Sequence, residues 1–300
     1  MPRPSFLTTL TSQYRARMSA SPTPPFVPKQ ALGILANAVD VYEKTGGKVT
    51  AQFAEECVKL VSPIPADSVI HDNACGPGTV TRKIMATSPP PTIQIVATDS
   101  NPAFLSHVRA AVIANKWPVE VENMRSEAIE KPDDYFTHSF TNIAIFMMGS
   151  AGLDGATEIY RTVRPGGVAI VNCWQSLAWM QPIIAVQMAT RSHGRVGKPP
   201  VSWADGTQLR KIMVQAGFME ENVTMSSSEA SAVVKDLRSW AELSWAYLGG
   251  LQGWAQEDED RWDEAIDMLV EKLKEAVGTT MDKDGVVYMK ASQHMLIAKK

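Results

Sequence analysis

The feature that most constrains this chain is the run Ser68-Val69-Ile70-His71-Asp72-Asn73-Ala74-Cys75-Gly76-Pro77-Gly78-Thr79. A short β-branched stretch feeds a turn with two glycines, and the apolar spacing over 79–85 predicts a helix after it. Strand, tight turn and helix in that order form the first half of a βαβ unit, which buries its apolar strand only inside a helix-covered sheet. The pattern then repeats. Residues 93–97 predict a second strand, Asp99-Ser100-Asn101-Pro102 caps a helix over 103–114, and 119–121 predicts a third strand. A fourth strand is expected over 138–146, a helix over 154–163, and a fifth strand over 167–173 entered through Arg164-Pro165-Gly166-Gly167. The fold class is therefore α/β with a mainly parallel sheet.

Upstream, the spacing of Leu32, Leu35, Ala36 and Val39, then of Phe53, Cys57 and Leu60, predicts two helices broken at Thr45-Gly46-Gly47. After the fifth strand a helix is expected over 176–191 despite Pro182, a loop over 192–200, a helix over 207–216 and a sixth strand near 222–225. More than fifty further residues precede a terminal run over 286–298 of strand composition with an expected bulge or break. Within that insert Trp262, Ile266, Leu269, Leu273 and Ala276 share one helical face, and the acids 257–260 before it read as a solvated helix start.

Composition narrows the partners. The 29 basic residues against 32 acidic ones give a net charge of −3, so neither nucleic acid nor an acidic membrane surface is an expected partner. No apolar run approaches the roughly 20 residues of a membrane span, and a soluble, cytoplasmic protein is expected. Cys57, Cys75 and Cys173 form no metal-binding or disulfide pattern. Residues 1–39 lack acids and carry Arg3, Arg15, Arg17 and Lys29, as in a mitochondrial transit peptide. Their prolines oppose a continuous amphipathic helix, so residues 1–27 are read as a flexible tail and 28–300 as one domain.

Two glycines at the end of a first strand let backbone approach a ligand closely, at the edge where open α/β sheets bind nucleotides. A dinucleotide fingerprint wants a third glycine where Thr81 stands, and Asp72 would repel a pyrophosphate while suiting an ammonium or sulfonium group. Asp99, ending the second strand, is placed to accept hydrogen bonds from ribose hydroxyls, which suits either cofactor. A nicotinamide-dependent oxidoreductase is thus disfavoured, yet remains a rival.

These residues resemble the class I S-adenosylmethionine-dependent methyltransferases. Asp72-Asn73-Ala74-Cys75-Gly76-Pro77-Gly78 is similar to that family's first motif, Asp99 to its ribose-binding acid, and Arg164-Pro165-Gly166-Gly167 to the turn before its fifth strand. The phrases Phe136-Thr137-His138-Ser139-Phe140-Thr141-Asn142 and Cys173-Trp174-Gln175 most resemble small-molecule methyltransferases of fungal secondary metabolism, the gliotoxin thiomethyltransferase group among them. The resemblance implies a Rossmann-like sheet of seven strands, mostly parallel with the last antiparallel, and helical lid insertions over 174–206 and 228–284. It implies S-adenosyl-L-methionine as cofactor and no metal. Asp72, Asn73, Ala74, Gly76 and Gly78 would surround its amino-acid part, and Asp99, Ser100 and Asn101 its ribose and adenine edge. Arg125 stands where the family commonly has an acid for the adenine amino group, and arginine cannot accept that bond, so either Glu127 or a backbone carbonyl substitutes, with Ser126 beside it, or adenine is held differently. Thr141 and Asn142 would lie near the methyl-transfer locus.

His71 and His138 fall on predicted strands and read as satisfied core histidines, whereas His193, in the loop after the fifth strand, is a candidate general base. In the family's topology both insertions emerge at the ligand edge, so Trp174, Trp203, Trp240 and Trp245 are expected to bind a flat, apolar acceptor. The expected activity is methyl transfer by in-line displacement to an O, S or N nucleophile of a small secondary metabolite. A second rival keeps the fold but performs a rearrangement or cyclisation, or only binds.

Overall fold

The computed structural model describes residues 26–192, 202–251 and 253–300. These fall into two compact units. One takes the described residues of 49–176, 200–230 and 291–300, and the other those of 1–48, 177–199 and 231–290.

The sheet runs β1 (Val69–Asn73), β2 (Gln94–Asp99), β3 (Val119–Asn123), β4 (Phe136–Thr141), β5 (Val163–Leu177), β6 (Val223–Val234), β7 (Thr279–Met281) and β8 (Val287–Lys299). Its spatial order is β3-β2-β1-β4-β5-β8-β6, with β7 beside β8. The first five strands are parallel neighbours, β1 pairing with both β2 and β4. Gly166 N–H donates to the Lys300 carbonyl and Lys300 N–H to that of Gly167, so β8 runs against β5, as the expected antiparallel last strand.

Alternation along these strands builds two apolar layers. Ile70, Phe140, Ile170 and Met295 pack against Ala54, Cys57 and Val58 of helix Lys48–Lys59 and Val80 and Ile84 of helix Thr79–Ala86. On the opposite face Val171, Cys173 and Ala298 meet Ala156 and Ile159 of helix Leu153–Thr162 and Leu209, Ile212 and Met213 of helix Thr207–Ala216.

Several sequence boundaries move. β4 stops at Thr141 rather than 146, because Ile143 turns to φ +53. β5 continues to Leu177, and the following helix is Met180–Thr190, with Pro182 in its first turn where no helical N–H is lost. β6 extends to Val234 through a serine-rich stretch whose polarity hid it, and β8 is one uninterrupted strand. The break at 43–47 is a π-turn in which the Thr45 hydroxyl donates to the Val41 carbonyl at 2.7 Å.

The second unit is helical, built from Lys29–Leu35, Ala38–Tyr42, Met180–Thr190, Leu237–Ser244, Gln256–Asp260 and Trp262–Glu275. At its centre the Arg191 guanidinium donates to Asp258 at 2.8 Å and to the Gly249 carbonyl at 2.8 Å, between the rings of Trp245 and Trp254. The acids 257–260 do open a helix, Gln256–Asp260, but they are not simply solvated. Asp258 is buried against Arg191, Glu257 accepts from Ser192, and Glu259 accepts the Lys29 N–H. Among the described residues no helix is long and apolar enough to cross a membrane, and no group of His, Cys, Asp and Glu could hold a metal.

Candidate active site

Strand order 3-2-1-4-5 reverses direction between β1 and β4, and open α/β sheets bind ligands outside the carboxyl ends of the strands at such a switch point. There β1 ends in Asn73 and β4 in Thr141, register partners whose side chains meet, Asn73 Nδ2 donating to Thr141 Oγ1 at 3.0 Å. The other amide atom, Asn73 Oδ1, is buried with no partner among the described residues.

The turn after β1 wraps this point. Ala74, Gly76 and Gly78 take φ of +54°, +54° and +83°. A Cβ at Gly78 would lie 3.2 Å from a Val108 methyl, so this glycine lets the turn close on the helix that follows Asp99. A Cβ at Gly76 would meet nothing within 4 Å, so the turn leaves open space beside a bare peptide.

Gly78 cannot cap helix Thr79–Ala86 with a side chain, and Asp72 does so from β1. Its Oδ2 accepts both the Thr81 N–H at 2.9 Å and the Thr81 hydroxyl at 2.7 Å. The residue that breaks the dinucleotide fingerprint is thus the partner of the acid that argued against a pyrophosphate. Burial pushes the Asp72 carboxyl up to about 6, against the hydrogen bonds from Thr81, with nearby Asp99 adding to the rise. His71, one residue earlier, is buried, stacked on Phe136 at 4.4 Å and hydrogen-bonded to Thr98, and burial lowers it to about 3. His138 pairs with Thr137 Oγ1 and is also lowered by burial. Both are core histidines, as expected.

Asp99 braces the turn from β2. Oδ2 accepts the Gly76 N–H at 2.9 Å and Oδ1 the Asn101 N–H at 2.8 Å. Burial raises its pKa, opposed by the backbone N–H groups of Asn101, Gly76 and Ser100. A carboxylate has about four acceptor sites, so it retains capacity for hydroxyl donors. Asn101 caps the next helix through Oδ1 accepting the Ala103 N–H, leaving its buried Nδ2 without a partner among the described residues. Open space over Gly76, an acidic acceptor beside it, and two orphaned amide atoms of opposite polarity fit a ligand carrying both an ammonium and a ribose. These residues could hold S-adenosylmethionine.

The exit of β4 carries a feature the sequence reading missed. Asn142 accepts from Asn172 on β5, and Asn172 accepts the Ile143 N–H and donates to Gln293 on β8. Asn172 and Gln293 are wholly buried. The available signal was an amide inside the apolar run Val168-Ala169-Ile170-Val171-Asn172-Cys173.

The remaining candidates are dispersed. Glu127 accepts from the Gly149 N–H at 3.1 Å and from the exposed Arg125 at 3.2 Å, which ties the segment after β3, Ser126 included, to the segment after β4. Trp174 is half-buried, edge-to-face with Phe53 at 5.7 Å. Trp203 packs with the cluster holding Cys173, near Phe146. Since Cys173 and Trp174 are neighbours in a strand, the two tryptophans lie on opposite faces of β5 and do not form one wall. Trp240 and Trp245 are buried in the helical unit against Trp179 and Trp254. His193 lies outside the described residues.

Comparison with known proteins gives a consistent picture. Residues 70–167, from β1 into β5, match a family model described as a methyltransferase domain. The chain is 25% identical over 266 residues to the methyltransferase ktnA of Aspergillus niger, covering 77% of this chain and 86% of that one. It is 23% identical over 254 residues to the methyltransferase afvD of Aspergillus flavus, covering 82% and 86%. Two solved structures share the fold. The YcgJ protein of Bacillus subtilis has a TM-score of 0.53 at 11% identity, covering 83% of this chain and 99% of that one. Phosphoethanolamine N-methyltransferase 2 of Haemonchus contortus, solved with S-adenosylhomocysteine, has a TM-score of 0.52 at 15% identity, covering 88% and 57%. The strand order, the geometry at its switch point and these relatives agree: residues 70–167 match a methyltransferase domain, and the chain is an S-adenosylmethionine-dependent methyltransferase with S-adenosylmethionine as its methyl donor.

Proposed function

We propose that the chain methylates an O, S or N nucleophile of a small secondary metabolite by in-line displacement, with positioning and exclusion of water as the main sources of rate. The observation that carries this reading is the switch point itself, where Asp99 stands beside the open space over Gly76 and the buried Asn73 Oδ1 and Asn101 Nδ2 have no partner among the described residues. S-adenosylmethionine supplies an electrophilic methyl group on a sulfonium. As the new bond to the methyl carbon forms, its bond to sulfur breaks and S-adenosylhomocysteine leaves; an anionic nucleophile neutralises the charge and a neutral one disperses it before losing its proton, so a dry surround favours the transition state.

In this proposal the Gly76 peptide admits the cofactor, Asp99 accepts from its ribose hydroxyls with Ser100 and Asn101 beside it, and Asn73 Oδ1 accepts from its ammonium. Asp72 acts through Thr81 by holding the turn. Ser126 and Glu127 border the adenine, and Thr141 and Asn142 border the methyl group. The histidines of β1 and β4 are hydrogen-bonded to threonines and held neutral, so a base, if the acceptor needs one, falls to His193. Trp174 is the acceptor contact we favour among Trp174, Trp203, Trp240 and Trp245, because it is the half-buried ring on the strand next to β4. The fungal methyltransferases to which the chain is similar support methyl transfer. Incubation with methyl-labelled S-adenosylmethionine and a metabolite extract of the source organism should put label into a small molecule. Label appearing only in protein or nucleic acid, or cofactor binding with no transfer, would overturn the reading.

A further inference from the structure

The exit of β4 has a shape that its own residues do not favour. Ile143 takes φ +53, a left-handed backbone that a β-branched side chain rarely adopts. Its N–H is fixed by Asn172 Oδ1 at 2.7 Å. Asn172 Nδ2 in turn donates to Asn142 Oδ1 at 2.8 Å and to Gln293 Oε1. Asn142 Nδ2 then donates to the Thr50 carbonyl at 3.1 Å, and Gln293 Nε2 donates to Ser228 Oγ at 2.8 Å and to the Phe53 carbonyl at 3.4 Å. The orientation of every amide in this chain follows from its ends. The Ile143 N–H can only donate and the Thr50 and Phe53 carbonyls can only accept, so no amide can flip without losing bonds.

Buried amides in the middle of a sheet are unfavourable unless fully paired, and apolar side chains would fill the same space without that demand. Here the paired amides act on one backbone position, and that position is strained and adjoins the switch point. Backbone strain held by its surroundings clusters where a ligand site must be preorganised.

We propose that Asn172 is a positioning residue of the cofactor cleft, acting through Ile143 to hold the end of β4 so that Thr141 and Asn142 keep their places beside Asn73. This goes beyond the proposed acceptor chemistry and does not depend on it, since the cofactor side of the cleft is read without any acceptor.

The test uses S-adenosylhomocysteine and calorimetry. Asn172→Ala should weaken binding by at least about tenfold, a loss of about 1.4 kcal/mol. Glycine adopts the left-handed region freely, so Asn172→Ala with Ile143→Gly should bind within about threefold of the unaltered protein. General loosening of the core would not be repaired by a glycine, which adds freedom and fills no space. Hydrogen exchange supplies a second readout, with the residue-143 amide losing protection in Asn172→Ala while amides of β1 keep theirs. If Asn172→Ala does not fold, Gln293→Leu removes the outer support of the same amide, and its loss of affinity should likewise be reversed by Ile143→Gly. Unchanged affinity in a folded Asn172→Ala protein, or a loss that Ile143→Gly leaves in place, overturns the proposal.

Discussion

The turn after β1 and the exit of β4 border the same cleft and are made in opposite ways. In the first, two of the three left-handed residues are glycines, Gly76 and Gly78, alongside Ala74. In the second, Ile143, Ser150 and Ala151 are left-handed and only Gly152 is a glycine. The β1 turn takes its shape from residues that adopt it at little cost. The β4 exit is held from elsewhere: Asn172 fixes the Ile143 N–H, Glu127 the Gly149 N–H, and Asp154 the Ser150 hydroxyl at 3.0 Å. Both regions are braced by hydrogen bonds from other strands, but the first has mostly glycines at its left-handed positions and the second mostly non-glycine residues, and that difference can be tested.

The largest expected effect concerns the buried acid beneath the β1 turn. Asp72 ionises near 6 in the folded chain, against ~3.9 when unfolded, so the folded state keeps its proton where the unfolded state releases it. The stability from this group is therefore full below about pH 4 and lost as pH rises through 6, a fall of about 3 kcal/mol for a shift of roughly two units. Asp72→Asn cannot ionise. Denaturant unfolding at pH 4 and pH 7.5 should show a steeper loss in the unaltered protein than in the variant, and equal slopes would mean that the carboxylate is better solvated than its burial implies.

Next comes Asp99→Ala, which removes the brace of the Gly76 and Asn101 N–H groups together with an ionised acceptor for the ribose. Calorimetry should show S-adenosylhomocysteine binding weakened by roughly 1.5–3 kcal/mol. An unchanged dissociation constant in folded protein would place the ribose elsewhere.

This contrast also explains what the sequence revealed. The β1 turn, Asp99 and the order of strands were readable because glycine, the capping Asn101 and β-branched runs act on their own neighbourhood. Asp72 and Thr81 were both singled out, but for separate reasons. Their hydrogen bond needs β1 and the start of the next helix side by side, which spacing alone does not specify. Asn172 and Gln293 stand 121 residues apart and meet only because β8 inserts antiparallel beside β5. The same insertion pairs β6 with β8, so a serine-rich segment became strand through its neighbour. The acids 257–260 read as a helix start, and only the tertiary placement of Arg191 makes Asp258 a buried partner.

Smaller effects probe the two backbones directly. Gly76→Ala meets open space, so the cost to folding should be only about 1 kcal/mol from its left-handed φ, while the added methyl takes up room needed by the cofactor. Affinity should therefore fall more than stability, and a variant that binds normally would show that the cofactor does not pass over this peptide. At the β4 exit the reverse change should help. Ala151→Gly relieves a left-handed alanine and should raise stability by about 0.5 kcal/mol in denaturant unfolding, after the entropy of glycine is deducted. A loss of stability would show that the strain lies elsewhere.

The central claim, that the cleft between β1 and β4 is built for a methyl donor, is tested most directly by titrating the unaltered chain by calorimetry with S-adenosylhomocysteine and, separately, with NAD. Asp72 beneath a two-glycine turn predicts saturable binding of S-adenosylhomocysteine in the low to mid micromolar range and no detectable binding of the dinucleotide. Binding of NAD without affinity for S-adenosylhomocysteine would contradict it.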